Sequence, residues 1–185
     1  MMATIPFQLI AAVDEHFGIG KDGSMPWHLT GDLRHFSHIT RQTEKEHQRN
    51  AVIMGRKTWE ALPPAFRPLP GRINCVLTRQ AGLSLKDNVH RSSDLDAALV
   101  ELSQKYPAVL NAIFVIGGAQ VYQTAIHHPG CRRIYLTRIQ ADFHCDSFFP
   151  KDLSAYTLRT QSAIQIENNH RYVFEEYERT KDPNV

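Results

Sequence analysis

The sequence predicts an α/β protein built on a mostly parallel, twisted sheet of about eight strands, with helices on both faces. Short apolar runs alternate with segments of helical spacing along most of the 185 residues, an order typical of parallel sheets. Near the C-terminus, two strand-like stretches flank Asn168-Asn169, which predicts an antiparallel hairpin at the sheet edge. No linker rich in Gly, Ser or Pro divides the chain, so we expect residues 1–185 to form a single domain.

Most of the predicted strands are short, apolar and rich in β-branched residues, as strands buried on both faces are. They are Ile5–Val13, Ala51–Met54, Ile73–Leu77, Ile113–Ile116, Arg132–Gln140 and, in the hairpin, Tyr156–Ile166 and Tyr172–Arg179. The predicted helices are Leu33–Thr40, Thr58–Leu62, Leu95–Tyr106 and Ala119–His127. We expect Ser93 to cap the third helix, and the Gly-rich segment Asp14–Trp27 to form a long exposed loop.

Composition excludes several classes of protein. The 21 Lys and Arg residues against 19 Asp and Glu give a formal charge of +2, far from the basic balance of a nucleic-acid-binding protein. The longest apolar runs fall far short of the ~20 residues that span a bilayer. Met1–Phe7 carries no Lys or Arg, so we expect no secretory signal. Three cysteines without CxxC spacing predict free thiols in a reducing cytoplasm, and the histidines show no metal-ligand spacing.

Three predicted strand-to-helix junctions carry groups suited to phosphate. Gly55-Arg56-Lys57-Thr58 joins two cations and a hydroxyl at a helix start, and Thr78-Arg79 follows the next strand. Gly117-Gly118 lets backbone approach a ligand closely. Taken singly, Gly55–Thr58 is explained about as well by a solvated basic turn as by a phosphate site. The same holds for Gly117-Gly118 and a tight strand-to-helix turn. Together the three favour a ligand with several phosphates, because such ligands bind at the carboxyl ends of strands.

Asp32 is the carboxylate most suggestive of chemistry. It lies four residues before Phe36, so it borders the apolar face of its predicted helix. An acid on that side needs a partner or a task, although a first-turn acid favoured by the helix dipole is the ordinary explanation. Arg72 stands just before a predicted strand and is either an anion ligand or a surface cation.

These residues belong to a series of motifs that resembles the dihydrofolate reductases along nearly the whole chain. The first motifs are Ile10-Ala11-Ala12, Gly18-Ile19-Gly20, Met25-Pro26-Trp27, Asp32-Leu33-Arg34-His35-Phe36, Val52–Glu60 and Arg67–Arg72. The later motifs are Val115–Tyr122, Tyr135-Leu136-Thr137 and Asp146–Pro150. Each motif is modest by itself, whereas all of them in this order are very specific for the family.

The resemblance implies reduction of 7,8-dihydrofolate to 5,6,7,8-tetrahydrofolate by NADPH, with hydride transfer to C6 and protonation at N5. This reaction supplies one-carbon metabolism and so thymidylate and purine synthesis. The cofactor-binding residues that it implies are Ala12, Ile19, Gly55, Arg56, Lys57, Thr58, Thr78, Arg79, Gly117, Gly118, Ala119, Gln120 and Val121. Among these, Thr78 and Arg79 would complete the site for the ribose 2′-phosphate, Ala12 and Ile19 would frame the nicotinamide with Ile116, and the Gly117-Gly118 peptide would be cis.

For the substrate, the resemblance implies that Asp32 pairs with N3 and the 2-amino group of the pterin, while water delivers the proton. Thr137 would hold that carboxylate, Trp27 would order nearby water, and Arg72 would bind the glutamate α-carboxylate. The other residues implied to line the substrate site are Ile10, Ala12, Leu33, Phe36, Leu62, Leu69, Ile116 and Tyr122. Antifolates are implied inhibitors, and the implied state is a cytoplasmic monomer without bound metal.

The chain mixes features of different branches of the family. An Asp as the acid is a bacterial arrangement, whereas Arg56-Lys57 and Phe148-Phe149-Pro150 resemble eukaryotic members, particularly fungal ones. The chain ends soon after the last predicted strand, so we expect no fused thymidylate synthase domain. Two alternatives stay open: the related NADPH-dependent reductase of riboflavin synthesis, and a nucleotide- or RNA-binding module that uses Arg56-Lys57 and Arg79. The first would lack the set Trp27, Asp32, Phe36 and Arg72.

Overall fold

A central sheet flanked by helices organises the protein, and the computed structural model describes residues 4–80 and 82–180. The strands are β1 Phe7–Val13, β2 Gly18–Gly20, β3 Arg49–Gly55, β4 Ile73–Leu77, β5 Val89–Ser92, β6 Leu110–Val115, β7 Cys131–Ile139, β8 Ser147–Phe148, β9 Tyr156–Gln161, β10 Gln165–Glu167 and β11 His170–Arg179. The helices are α1 Thr30–Arg41, α2 Arg56–Ala61, α3 Leu95–Lys105 and α4 Ala119–Ala125, with a short 3-10 helix at Pro64–Phe66. None of the described helices has the length and apolar character needed to cross a bilayer.

The main sheet has the strand order β10-β11-β7-β1-β6-β3-β4-β5, and β9 pairs with β11 beside this path. All neighbours from β7 to β5 in that order are parallel. Strand β11 pairs antiparallel with β7, β9 and β10. A mostly parallel sheet with an antiparallel C-terminal edge confirms the fold class predicted from the sequence.

Alternate residues of the buried strands supply two main cores, one on each face of the sheet, and a third, smaller cluster gathers around Trp27. In β3, Ala51 and Ile53 belong to the core covered by α3 and α4, whereas Val52 and Met54 belong to the core covered by α1 and α2. Both faces of such a strand are apolar, which is why the sequence shows continuous apolar runs and not an alternating pattern.

The predicted strand Tyr156–Ile166 is wrong as one element, because it is two strands that both pair with β11. The break falls at Ser162, whose hydroxyl accepts the N–H of Phe174 at 2.9 Å. A continuous ladder would give that N–H to a backbone carbonyl, so the serine side chain interrupts the pairing.

Other predicted boundaries also shift. Helices α1 and α2 begin at Thr30 and Arg56, earlier than predicted, because their first turns are polar and carry no apolar period. Ser93 is not the cap of α3; the cap is Asp94, whose Oδ1 accepts the N–H of Ala97 at 2.9 Å. The Ser93 hydroxyl instead donates to the other oxygen of Asp94, at 2.7 Å. Strands β2 and β5 were not predicted, since β2 is a three-residue Gly-rich segment and three of the four residues of β5 are polar.

Candidate active site

The carboxyl ends of the parallel strands bring the predicted site residues to one edge of the sheet. The strand registers align Gly55 with Leu77 and Leu77 with Ser92. The N–H of Gly55 donates to the carbonyl of Gly117 at 2.8 Å. The three junctions expected to bind phosphate therefore lie side by side, as the rule for open α/β sheets predicts.

Asp32 is a buried carboxylate in the first turn of α1, with 8% of its surface exposed. Burial raises the pKa of this carboxyl; a hydrogen bond from Thr137 opposes the rise, and the charge of Glu167 adds to it. Thr137 is itself buried on β7, where the sheet register places it opposite Ala12 of β1. The structure thus joins a carboxylate that is less acidic than usual to a single hydroxyl donor.

Two further predicted site residues, Tyr122 and Trp27, are buried aromatic side chains. The Tyr122 hydroxyl donates to the carbonyl of Ile10 at 2.6 Å, and burial raises the tyrosine pKa, with a smaller contribution from the charge of Asp32. Trp27 packs in one cluster with Ala12, and its indole Nε1 has no acceptor among the described residues. A buried N–H without a protein partner is suited to hold an ordered water or a ligand atom.

An apolar wall stands on the α1 and α2 side of the sheet. The buried residues Ile10 and Leu69 pack there with the half-buried side chains of Phe36, Leu62 and Ile116. The structure therefore brings these five predicted substrate residues together.

The remaining apolar site residues lie outside this wall. Leu33 is 43% exposed. Ala12 belongs to the cluster of Trp27, and Ile19 packs against the core under α3 and α4. The predicted nicotinamide frame of Ala12, Ile19 and Ile116 is thus drawn from three separate clusters of the described structure.

Arg72 is held in place without an acidic partner. Its Nη1 donates to the Thr40 hydroxyl at 2.8 Å and its Nε donates to the Pro70 carbonyl at 3.1 Å. The guanidinium also lies 5.8 Å from the ring of Phe36. Burial and the neighbouring charge of Arg41 lower its pKa to about 10, so it remains a cation at neutral pH. Within residues 4–80 and 82–180 no carboxylate lies within ion-pair distance of it, so it is available to an anionic ligand.

The glycine junctions form a tight backbone surface. The Gly117-Gly118 peptide is cis, as the resemblance implies, and α4 begins at the next residue with Ala119, Gln120 and Val121. A Cβ on Gly118 would lie 3.2 Å from Oγ1 of Thr58, and one on Gly55 would lie 3.3 Å from Cγ2 of Val121. Larger residues would crowd both strand ends, so the sequence keeps backbone and hydroxyl groups exposed to a ligand there.

The cations of these junctions differ in their surroundings. Arg56 is engaged with Glu60, one turn later in α2, at 2.7 Å, whereas Lys57 is exposed. Arg79 is also exposed, and its charge is one of the weaker influences that lower the pKa of Asp94. Thr78 lies half-buried beside Arg79, with its N–H bonded to Ser92 at 2.9 Å.

Sequence reasoning missed two acids that organise this region. Burial alone would raise the pKa of Asp14, but hydrogen bonds from the N–H groups of Gly18, His16 and Phe143 lower it overall. Asp14 thereby ties the loop after β1 to the segment after β7. Glu167 accepts hydrogen bonds from the start of α1. The donors to Glu167 and one donor to Asp14, Phe143, lie more than a hundred positions away in the chain, so no local spacing shows these contacts.

Comparisons with known proteins agree with this geometry. A sequence model described as dihydrofolate reductase matches residues 6–179. The bifunctional dihydrofolate reductase-thymidylate synthase of Glycine max is 40% identical over 179 residues, which are 95% of this chain but 34% of that protein. The chain thus spans about a third of the length of the plant relatives that it matches.

Shorter relatives are matched over more of their length. The dihydrofolate reductase of Pneumocystis carinii is 44% identical over 77% of this chain and 72% of its own. That of Heliothis virescens is 37% identical over 96% of this chain and 100% of its own. The structure of Schistosoma mansoni dihydrofolate reductase superposes with a TM-score of 0.84 at 30% identity, covering 96% of this chain and 100% of that one. Since sequence and structure agree over almost the entire length, this chain belongs to the dihydrofolate reductase family.

Proposed function

We propose that this protein reduces 7,8-dihydrofolate to 5,6,7,8-tetrahydrofolate with NADPH as the reductant. The observation that carries the proposal is the buried Asp32, whose raised pKa and bond to Thr137 mark it as an acid with a task. A pterin ring presents N3–H and a 2-amino group side by side, and these two donors match the two oxygens of one carboxylate.

Asp32 would favour the proton at N5 of the substrate. Protonation of N5 makes the N5=C6 bond a better hydride acceptor, and a negative charge in a buried site stabilises that protonated ring. Water carries the proton, held near the indole N–H of Trp27, while Thr137 keeps the carboxylate oriented. Asp32 thus acts by its charge and position, while Trp27 would hold the water and Thr137 would orient the carboxylate.

The apolar wall and Arg72 would bind the remaining parts of the substrate. Ile10, Phe36, Leu62, Leu69 and Ile116 would pack against the pterin and benzoyl parts, with Leu33 and Tyr122 completing the site. Arg72 would bind the glutamate α-carboxylate, since its guanidinium is held by Thr40 and Pro70 and lacks an acidic partner in the described chain.

The chain's own residues fit a dinucleotide at the glycine junctions. Crowding around Gly55 and Gly118 leaves backbone and the Thr58 hydroxyl facing the strand ends. Bound there, NADPH supplies the hydride. Its pyrophosphate would lie against Gly55, Thr58 and the Gly117–Val121 segment, and its 2′-phosphate would meet Arg56, Lys57, Thr78 and Arg79. Ala12, Ile19 and Ile116 would contact the nicotinamide.

We further propose the setting in which the enzyme works. Tetrahydrofolate from this reaction would supply one-carbon units for thymidylate and purine synthesis. The protein would act in the cytoplasm as a monomeric single domain, and 2,4-diaminopteridines such as methotrexate would inhibit it. The family relationship supports the metabolic role and the inhibition.

The rate of NADPH oxidation with and without dihydrofolate tests the proposed reaction. We expect oxidation that depends on dihydrofolate and that methotrexate abolishes. A parallel assay replaces dihydrofolate with the aminopyrimidine substrate of the riboflavin-pathway reductase. The proposal would be contradicted if NADPH were oxidised with the aminopyrimidine but not with dihydrofolate, or if neither compound led to oxidation.

A further inference from the structure

Helix α1, which carries Asp32, has no capping side chain of its own. The residue before its first turn is Leu29, whose side chain cannot accept a hydrogen bond. The N–H groups of Thr30 and Gly31 instead donate to the two carboxylate oxygens of Glu167, at 2.7 and 2.9 Å. A carboxylate at the end of β10, 136 residues beyond Gly31, therefore caps the helix that holds the acid.

Further contacts dock this turn of the hairpin on the helix start. The Tyr172 hydroxyl donates to Oε2 of Glu167 at 3.3 Å, and Nδ2 of Asn168 donates to the carbonyl of His28 at 2.8 Å. A Cβ on Gly31 would overlap the Tyr172 hydroxyl, so the close approach requires glycine there. Side chains of the hairpin thus fix the position of the first turn of α1.

Glu167 also sets a negative charge next to Asp32. Hydrogen bonds from Gly31 and Thr30 lower the pKa of Glu167, so it is ionised at neutral pH. Its carboxylate offsets the positive end of the helix dipole, which would otherwise stabilise an ionised Asp32. Its charge also repels that of Asp32 and contributes to the raised pKa of this acid.

The other groups that face this pair come from four elements. Thr137 on β7 donates a hydrogen bond to Asp32. Tyr122 on α4 and Tyr172 on β11 both have pKa values raised first by burial, so both are neutral near pH 7. Arg34 of α1 is exposed, and its charge acts on Tyr172. Among the described groups, the anion that acts on Asp32 is therefore Glu167.

We propose that Glu167 is a positioning residue for the reaction: it fixes the first turn of α1 so that Asp32 faces the pterin, and it adds to the negative potential there. The catalytic part of this proposal rests on the proposed function, because that part concerns a proton on the substrate. Its effect on Asp32 needs no substrate and can be measured on the protein alone.

The carboxyl ¹³C titration of Asp32 in the ligand-free protein tests the electrostatic part. The Asp32→Asn variant identifies the resonance, and Glu167→Gln removes the charge while keeping the shape. The midpoint of Asp32 should fall by about 0.5 pH unit in Glu167→Gln. Glu178→Gln is the matched control, since Glu178 is an acid of β11 in an exposed pair with Arg159, and it should leave the midpoint unchanged.

The pH dependence of kcat for dihydrofolate reduction tests the catalytic part. Its midpoint should move to lower pH in Glu167→Gln, because the lost negative charge no longer favours the protonated substrate, and kcat above the midpoint should fall about threefold. Glu167→Asp keeps the charge but shortens the reach, so it should keep the midpoint and lower kcat.

A folded Glu167→Gln variant could show a lower thermal unfolding temperature but an unchanged titration midpoint of Asp32. This result would mean that Glu167 only caps the helix, and it would overturn the proposal. If Glu167→Gln does not fold, Glu167→Asp decides: lower kcat at an unchanged midpoint supports the proposal, and unchanged kcat overturns it. If the wild type does not reduce dihydrofolate, the proposed function fails, whereas the ¹³C titration still judges the action of Glu167 on Asp32.

Discussion

At the scale of single residues, the central feature is the ionisation of Asp32. We predict that Asp32→Asn lowers kcat for dihydrofolate at pH 7 by about 10²–10⁴-fold, the range of positioned proton chemistry. Activity should partly recover at acidic pH, where solvent protonates the substrate directly. Steady-state rates across pH check this, and turnover close to that of the wild type at pH 7 would exclude Asp32 as the acid.

Arg72 acts at the same scale but on binding. It would grip the glutamate far from the reacting atoms, so it contributes equally to ground-state and transition-state binding. Arg72→Leu should therefore raise KM for dihydrofolate roughly tenfold or more and change kcat much less.

The neighbouring Arg41 provides a matched control for Arg72. It adds positive charge near Arg72, and Arg41→Leu should raise KM less. A substrate analogue without the glutamate tail should be insensitive to Arg72→Leu. If that analogue loses as much as dihydrofolate, Arg72 supports the fold and does not bind the tail.

At the scale of elements, the strand-to-helix junctions would determine cofactor choice. Arg56 is paired with Glu60, whereas Arg79 after β4 is exposed. Replacing Arg79 by Gln should weaken NADPH binding by about 1.5–3 kcal/mol, the size of a charge-assisted hydrogen bond, and NADH binding much less.

Binding titrations with both cofactors measure this difference. Arg132→Gln removes an exposed cation from the opposite end of the sheet, near the start of β7, and should affect neither cofactor. An equal loss of NADPH and NADH in the Arg79 variant would show that Arg79 does not read the 2′-phosphate.

Strands and helices with an uninterrupted pattern of apolar residues could be predicted from the sequence, and the others could not. The buried strands of the parallel sheet were found because both faces of each are apolar. Strand β5 was missed because three of its four residues are polar. The β9–β10 break was missed because one hydroxyl, that of Ser162, replaces a backbone acceptor. Such choices depend on side-chain geometry, which a pattern of apolar residues does not contain.

At the scale of the whole molecule, the site lowers the stability of the fold at neutral pH. Asp32 has a raised pKa in the folded state, so its contribution is most favourable below the unfolded pKa and is lost as pH rises through the folded value. Asp32→Asn should therefore raise the Tm at pH 7 by a few degrees. The gain should shrink toward pH 4. Thermal unfolding across pH measures it, and an unchanged or lower Tm at pH 7 would mean that the ionised acid is not costly.

For the whole molecule, the sequence predicts contacts between residues that are close along the chain and not those between residues that are far apart. Motifs that are contiguous in sequence, such as the glycine junctions and the residues around Asp32, were found from the sequence. The cap that Glu167 places on α1 could not be found, because it joins residues more than a hundred positions apart. Hydrogen bonds from distant donors leave no spacing in the chain.

The most direct test of the account is the protonation of a bound 2,4-diaminopteridine, measured by its absorbance against pH in the wild type and in Asp32→Asn. The ring of such an inhibitor is more basic than a pterin, and a buried carboxylate stabilises its protonated form by a charge-assisted pair. We predict that the bound inhibitor is protonated at pH 7 in the wild type and that its pKa falls in Asp32→Asn. A neutral inhibitor at pH 7 in the wild type, or equal protonation in both proteins, would contradict the role of Asp32 as the acid that faces the pterin.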